Sequence, residues 1–261
     1  MNLVYLMSPK GGVGRTTLTA NLAFALQRLG HQVVALDLDC QNSLRLHLGL
    51  PVSEQRGIVP GLQHSSDWRS QIMETPSGVG LLPYGEASQT QRESFDALLR
   101  QDPEFLGQRL GPLVNQPGCI VLVDLPSGPS AALEAMKKTA GISLVVMLAD
   151  GASAATLPLV EHESYLGIDA RKSAFYIVNQ VYIRSRLNRD VTEFFEQRLG
   201  AAMLGRVHRD EAVPEANASQ RSVFEYAPAS AVIQDLENIA RSISRMLPEA
   251  YGHSAMTFSQ N

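Results

Sequence analysis

Ten residues near the start of the chain concentrate groups that could do chemistry: Ser8-Pro9-Lys10-Gly11-Gly12-Val13-Gly14-Arg15-Thr16-Thr17. They follow an apolar run, Leu3–Met7, and open a helical pattern. Gly11, Gly12 and Gly14 allow successive backbone N–H groups to turn inward around an anion such as a phosphate. The N-terminus of the following helix adds its dipole to the same anion site. Thr16, in the first helical turn, offers a hydroxyl suited to a hard cation such as Mg²⁺, with Thr17 next to it.

Carboxylates stand at the ends of two further apolar runs. Val33–Leu38 leads into Asp37-Leu38-Asp39-Cys40-Gln41-Asn42. Ile120–Val123 is closed by Asp124, followed by Leu125-Pro126-Ser127-Gly128. A carboxylate just beyond the C-terminal edge of a parallel strand sits where ligands bind in such sheets. Asp124 is placed to hold a metal-bound water, because Mg²⁺ retains waters. Taken alone, Asp37 and Asp39 read equally as solvated turn residues, and Asp124 as a strand-end cap. Asn179 closes the run Phe175–Val178. Its amide carries both a donor and acceptors, and it also suits a turn start. In Pro228-Ala229-Ser230-Ala231, Ser230 has the form of an N-cap for the last helix. The six histidines are scattered, with no pair at metal-ligand spacing, and read as structural or solvated. The two cysteines, Cys40 and Cys119, form no CxxC pair and are expected to be reduced, buried thiols.

These residues need a frame. Short apolar runs recur at Leu3–Met7, Val33–Leu38, Val79–Leu82, Ile120–Val123, Leu144–Ala149, Phe175–Val178 and Met203–Val207. Several are continuously apolar, the pattern of parallel strands buried on both faces. Helical patterns lie between them: Thr16–Leu29 with Gly30 as its stop, Arg92–Val114 split at Pro103, Ala131–Thr139, Thr156–Leu166, Asp190–Leu199 and Ala231–Leu247. The alternation predicts an α/β fold with a doubly wound, mostly parallel sheet flanked by helices. One domain over residues 1–247 is expected. Gly49–Gly78 is expected to be a surface excursion and the polar tail 248–261 to be mobile.

With 261 residues, 44% hydrophobic and 18% charged, the chain has the apolar content for a full core and is not a disordered one. The formal net charge of -4 argues against nucleic-acid binding through overall charge. No apolar run reaches the roughly 18 residues of a membrane span, and the first residues lack the pattern of a secretory signal. A cytoplasmic protein is expected.

The glycine loop departs from the general phosphate-loop pattern, with Pro9 at the first Gly and Arg15 at the Lys. It resembles instead the deviant loop of the MinD/ParA class of ATPases, K-G-G-x-G-K-[ST]-T, and the resemblance runs from end to end of the chain. It implies bound ATP and Mg²⁺ and an ATP-sandwich homodimer. Lys10 is then the signature lysine, reaching the partner's phosphates. Asp39 orients the attacking water, Asp37 supports the metal or the loop, and Asp124 with Thr16 serves the metal. Pro126–Gly128 would sense the γ-phosphate. Asn179 would bond the adenine edge, and the backbone of Pro228–Ser230 would line the adenine pocket. Gly11, Gly12, Val13, Gly14, Arg15, Thr16 and Thr17 complete the nucleotide cradle. Arg keeps the charge of the usual Lys but is bulkier and forked, so binding is expected to survive while hydrolysis is slow.

Within the class, Asn42–Leu46, Asp67-Trp68-Arg69, Leu81–Gly85, Asp124–Pro126 and above all His208-Arg209-Asp210-Glu211-Ala212 resemble the cellulose-biosynthesis ATPases of bacterial cellulose operons. That implies a dimeric switch or scaffold for the cellulose-synthase secretion complex, held at the inner membrane through partner proteins. The tail lacks the basic amphipathic helix of division-site members. The alternative is a partitioning ATPase that binds non-specific DNA through Arg184, Arg186 and Arg189, with Arg206 and Arg209 later in the chain.

Overall fold

The computed structural model describes residues 2–62, 67–161, 166 and 174–247. The polar tail 248–261 lies outside the described residues. Eight strands form one sheet: β1 (Leu3–Met7), β2 (Gln32–Asp37), β3 (Met73–Glu74), β4 (Gly80–Leu82), β5 (Cys119–Asp124), β6 (Ile142–Leu148), β7 (Ala174–Val181) and β8 (Met203–His208). Their order is β3-β4-β2-β5-β1-β6-β7-β8. Every pairing is parallel except the short edge pair β3–β4.

The continuous apolar runs have the expected cause. Alternate strand residues point to opposite faces, and both faces are covered. Leu3, Tyr5 and Met7 join Val121 and Val123 in one core cluster; Val4 and Leu6 join Ile120 and Leu122 in the other. The second face is closed by α1 (Arg15–Arg28), with α2 (Leu44–His47) beside it, and by the last helix. The first face is closed by α3 (Gln89–Gln101), α4 (Phe105–Val114), α5 (Ala131–Met136), α6 (Gly151–Glu161) and α7 (Arg186–Leu199). The chain ends in α8 (Ala212–Ala218), α9 (Val223–Tyr226) and α10 (Val232–Met246). No helix among the described residues is long and apolar enough to cross a membrane.

The helix punctuation follows local rules. After α1, the N–H of Gly30 bonds Gln27 O and that of His31 bonds Leu26 O, the paired bonds of a Schellman end. Pro103 falls in the gap between α3 and α4, and a Ser88–Gln91 capping box starts α3. Boundaries differ from the sequence reading at α5, α6 and α7, and α3 begins at Gln89 and not at Arg92. α6 begins at Gly151, because Asp150 accepts from Ser153 N at 2.7 Å and fixes the first turn well before Thr156. Of its expected continuation, residues 162–165 lie outside the described residues. α5 stops at Met136. α7 starts at Arg186, because Ser185 caps it through Asn188 N. The short helices α2, α8 and α9 and the two-residue β3 lack the period that would announce them.

Gly49–Gly78 is not simply a surface excursion. Ile58 and Val59 are buried, and Trp68, in a 3-10 turn Trp68–Gln71, is 0% exposed. Its ring meets Phe105 edge-on at 6.1 Å. Cys40 is exposed, contrary to expectation, because it stands in the acidic turn after β2; Cys119 is buried, and burial pushes its thiol up to about 11. Trp68→Ala should cost roughly 3–5 kcal/mol of stability, as for other fully buried aromatics. Urea unfolding followed by circular dichroism measures this, and a loss below about 1 kcal/mol would mean that the segment is not part of the core.

Candidate functional site

β1 delivers the chain to the C-terminal edge of the sheet at Met7, and α1 leaves that edge at Arg15. The connection between them turns through Gly12 (φ 76°) and Gly14 (φ 80°), left-handed conformations that favour glycine. A Cβ on Gly14 would also stand 2.6 Å from Asn179 Nδ2. Gly14 is the N-cap residue of α1 and offers no side-chain acceptor, so the helix start faces the loop uncapped. Val13 is anchored by its buried side chain, and its carbonyl accepts from Asn179 Nδ2 at 2.8 Å.

β2 and β5 are neighbours, and their terminal carboxylates Asp37 and Asp124 are register partners, both 0% exposed. Two buried carboxylates side by side need compensation. Asp37 finds it in the backbone: Oδ1 accepts from Asp39 N at 2.9 Å and Oδ2 from Leu44 N at 3.1 Å. These bonds fold the acidic turn. Burial, and then the charge of Asp124, hold the Asp37 pKa well above the usual carboxylate range.

Asp124 finds its compensation in α1. Arg15 Nε donates to Asp124 Oδ1 at 2.6 Å, Thr16 Oγ1 donates to Oδ2 at 2.6 Å, and Thr19 Oγ1 adds a bond to Oδ1 at 3.2 Å. The same guanidinium reaches two more groups. Nη2 donates to Asp39 Oδ2 at 2.9 Å, and Nη1 donates to Ser127 Oγ at 2.9 Å. Arg15 is thereby 5% exposed. Burial opposes its charge, but Asp124 and then Asp39 more than offset that and raise its pKa. The second oxygen of Asp39 accepts from Gln41 N at 3.0 Å. The sequence reading missed Ser127, Ser8 and Thr19 as parts of this network; only the resemblance drew attention to Pro126–Gly128.

Lys10 stands apart from this cluster. Its Nζ pairs with Asp150 Oδ2 at 2.6 Å, with both side chains about a third exposed or less, at 27% and 35%. Thr17 faces the other way, accepting from Asn217 Nδ2 at 3.3 Å. It lines a cavity of about 350 Å³ together with Gly14, Asn179, His208, Asp210 and Asn217, a size at the lower end of small-ligand pockets. Ser230 reaches this cavity only through Asp210, to which it donates at 2.6 Å, and it also accepts from Val232 N as α10 begins. Pro228 is exposed and outside the residues that wall the cavity. The segment beginning at His208 supplies the opposite wall. His208 is fixed there by Asp235, which accepts from its backbone N at 3.0 Å and lies 2.8 Å from its Nδ1.

Among the described residues no cluster of three or more His, Cys, Asp or Glu could hold a metal by itself. The nearby hard oxygens are those of Thr16, Asp124 and Asp39, of the type Mg²⁺ takes, and Arg15 already donates to both carboxylates. Asp37 has spent both of its oxygens on backbone N–H groups.

Arg15→Ala should destabilise the protein by roughly 3–5 kcal/mol, because it strands a buried carboxylate. Asp37 adds a pH dependence to the wild type. Its folded-state pKa is raised, so its contribution is present below the ordinary carboxylate range and is lost as pH climbs through the raised value. Denaturant midpoints of wild type and variant, read from the ordinary carboxylate range upward, test both; a loss below about 1 kcal/mol in Arg15→Ala, or an Asp37→Asn variant with the same pH profile as the wild type, contradicts them.

The whole chain is similar to known proteins in the same way. The family model described as "Cellulose biosynthesis protein BcsQ" matches residues 1–243. The cellulose biosynthesis protein BcsQ of Salmonella typhimurium strain LT2 is 27% identical over 248 residues, covering 92% of this chain and 93% of that protein. Among solved structures, the MinD cell division protein of Aquifex aeolicus superposes with a TM-score of 0.75 at 20% identity, over 100% of both chains. The septum site-determining protein MinD of Pyrococcus horikoshii, solved with Mg-ADP, gives 0.71 at 22% identity, over 94% of this chain and 96% of that one. The glycine loop, the two carboxylate strand ends and the match over nearly the full length agree: the chain has the fold of the MinD proteins and belongs to the BcsQ family of cellulose biosynthesis proteins.

Proposed function

We propose that this protein binds ATP as a homodimer-forming switch and supports assembly or localisation of a bacterial cellulose-synthase secretion complex, with slow hydrolysis. The observation that carries the reading is the uncapped start of α1 behind Gly12 and Gly14, opening onto the cavity walled by Thr17 and Asn179. Backbone N–H groups there suit phosphates, and the cavity suits a base. Asn179 gives one amide N–H to Val13, which leaves its second N–H and its carbonyl oxygen for an adenine edge. Thr16 and Asp124 are the residues that a Mg²⁺ accompanying the nucleotide would meet, and the ion would neutralise developing phosphate charge.

Slow turnover follows from how Asp39 is used. Both of its oxygens accept hydrogen bonds, one from Arg15. A carboxylate paired with a guanidinium is a weaker acceptor for a water proton, and phosphoryl transfer depends on positioning and charge. The partners are then subunits of the synthase complex and small accessory proteins at the inner membrane. The membrane contact is made by those partners, and the protein itself is cytoplasmic. The DNA-partitioning alternative gains little from the surface. Arg186 pairs with Asp190, Arg189 bonds Ile183 O, Arg206 pairs with Glu196 and Arg209 with Glu211, while Arg184 is exposed.

Lys10, 27% exposed and paired with Asp150, is the residue that would leave that partner to reach the phosphates of a second copy. The molar mass of wild type and Lys10→Ala in ATP should separate, dimer for wild type and monomer for the variant. Phosphate release measured in parallel should fall well below about 1 per second. An unchanged dimer in Lys10→Ala, or turnover at or above that rate, overturns the reading.

A further inference from the structure

Arg15 does more than replace one cation by another. A lysine ammonium is a compact point charge, whereas the planar guanidinium fork donates in several fixed directions. Here those directions are spent within the chain: Nε on Asp124, Nη1 on Ser127 and Nη2 on Asp39, at 2.6, 2.9 and 2.9 Å. The three acceptors come from the end of β5, the loop after it and the turn after β2. The position that in the resembled loop serves the phosphates serves the acidic floor in this chain.

The electrostatic consequence concerns the divalent ion. Asp124 Oδ1 is taken by Arg15 and Thr19, and Oδ2 by the Thr16 hydroxyl. A dication arriving at these oxygens would displace the Thr16 proton contact and face a buried positive charge bonded to the same carboxylate. At a few ångströms, two cations on one carboxylate repel strongly in a partly buried setting. The carboxylates, already compensated, have less to gain from the ion.

We infer that Arg15 is a resident counter-cation for Asp124 and Asp39, and that nucleotide binding by this chain therefore depends little on Mg²⁺. The inference rests on the reading of the cavity as an ATP site and deepens it: free ATP, and not only its magnesium complex, is a ligand. The phosphates are held by the glycine-loop N–H groups and the helix start, neither of which needs the metal.

The test is calorimetric titration of the wild-type protein with ATP, once in Mg²⁺ and once in EDTA, repeated with Arg15→Lys. Wild-type affinities should agree within about threefold, and those of Arg15→Lys should differ by about tenfold or more. Manganese paramagnetic resonance on the wild type with ATP provides a second readout that needs no variant. It should show the ion bound no more tightly than to ATP in solution. A wild-type affinity that falls tenfold or more in EDTA, or manganese held tightly by the protein–ATP complex, overturns this inference and leaves the nucleotide reading intact. No ATP binding in either condition overturns both.

Discussion

Asp37 and Asp124 lie side by side, fully buried, at the ends of two neighbouring parallel strands, and the rest of the site is arranged around that electrostatic problem. It is resolved in two ways. Asp37 takes two backbone N–H bonds and so shapes the turn that presents Asp39. Asp124 takes the side chains of the first turns of α1, chiefly Arg15. Because the guanidinium also reaches Asp39 and Ser127, one side chain ties the start of α1 to the turn after β2 and the loop after β5. Removing it would leave two neighbouring strand ends with like charges and a single set of backbone donors.

The same arrangement divides the site into two regions. On one side of α1 lie the carboxylates, Arg15 and Ser127, densely bonded to one another. On the other lie Thr17, Asn179 and the segment from His208, around the cavity. The glycine loop spans both. The walls of the cavity are therefore set independently of the Arg15 network. Lys10, bonded to Asp150 across 140 residues of sequence, sits at the rim and belongs to neither group.

Much of this was legible in the residues. The runs of β1, β2, β5 and β6 were legible because parallel strands buried on both faces leave little room for polar alternation, whereas β8, at the sheet edge, buries only Val207. The carboxylates at their ends could be located because strand ends are sharp in such runs. Other features had no local signal. Trp68 sits in a segment without period and is buried by Phe105 from α4, a contact across 37 positions that only packing reveals. The start of α6 was missed because Pro158 and Thr156 look like an N-terminus while Asp150 and Ser153 make the actual cap. That Arg15 points toward Asp124, and not toward the loop's anion site, follows from side-chain direction, which spacing alone does not encode. Ser230 was visible as a cap, but its bond to Asp210 was not.

The account therefore turns on where the Arg15 guanidinium is when the site is loaded. A crystal structure of the protein with a non-hydrolysable ATP analogue measures this directly. The account predicts that Arg15 Nε and Nη2 remain within hydrogen-bond distance of Asp124 and Asp39, with the phosphates held by the glycine-loop backbone. An Arg15 that has left both carboxylates and donates instead to the β- or γ-phosphate would contradict it.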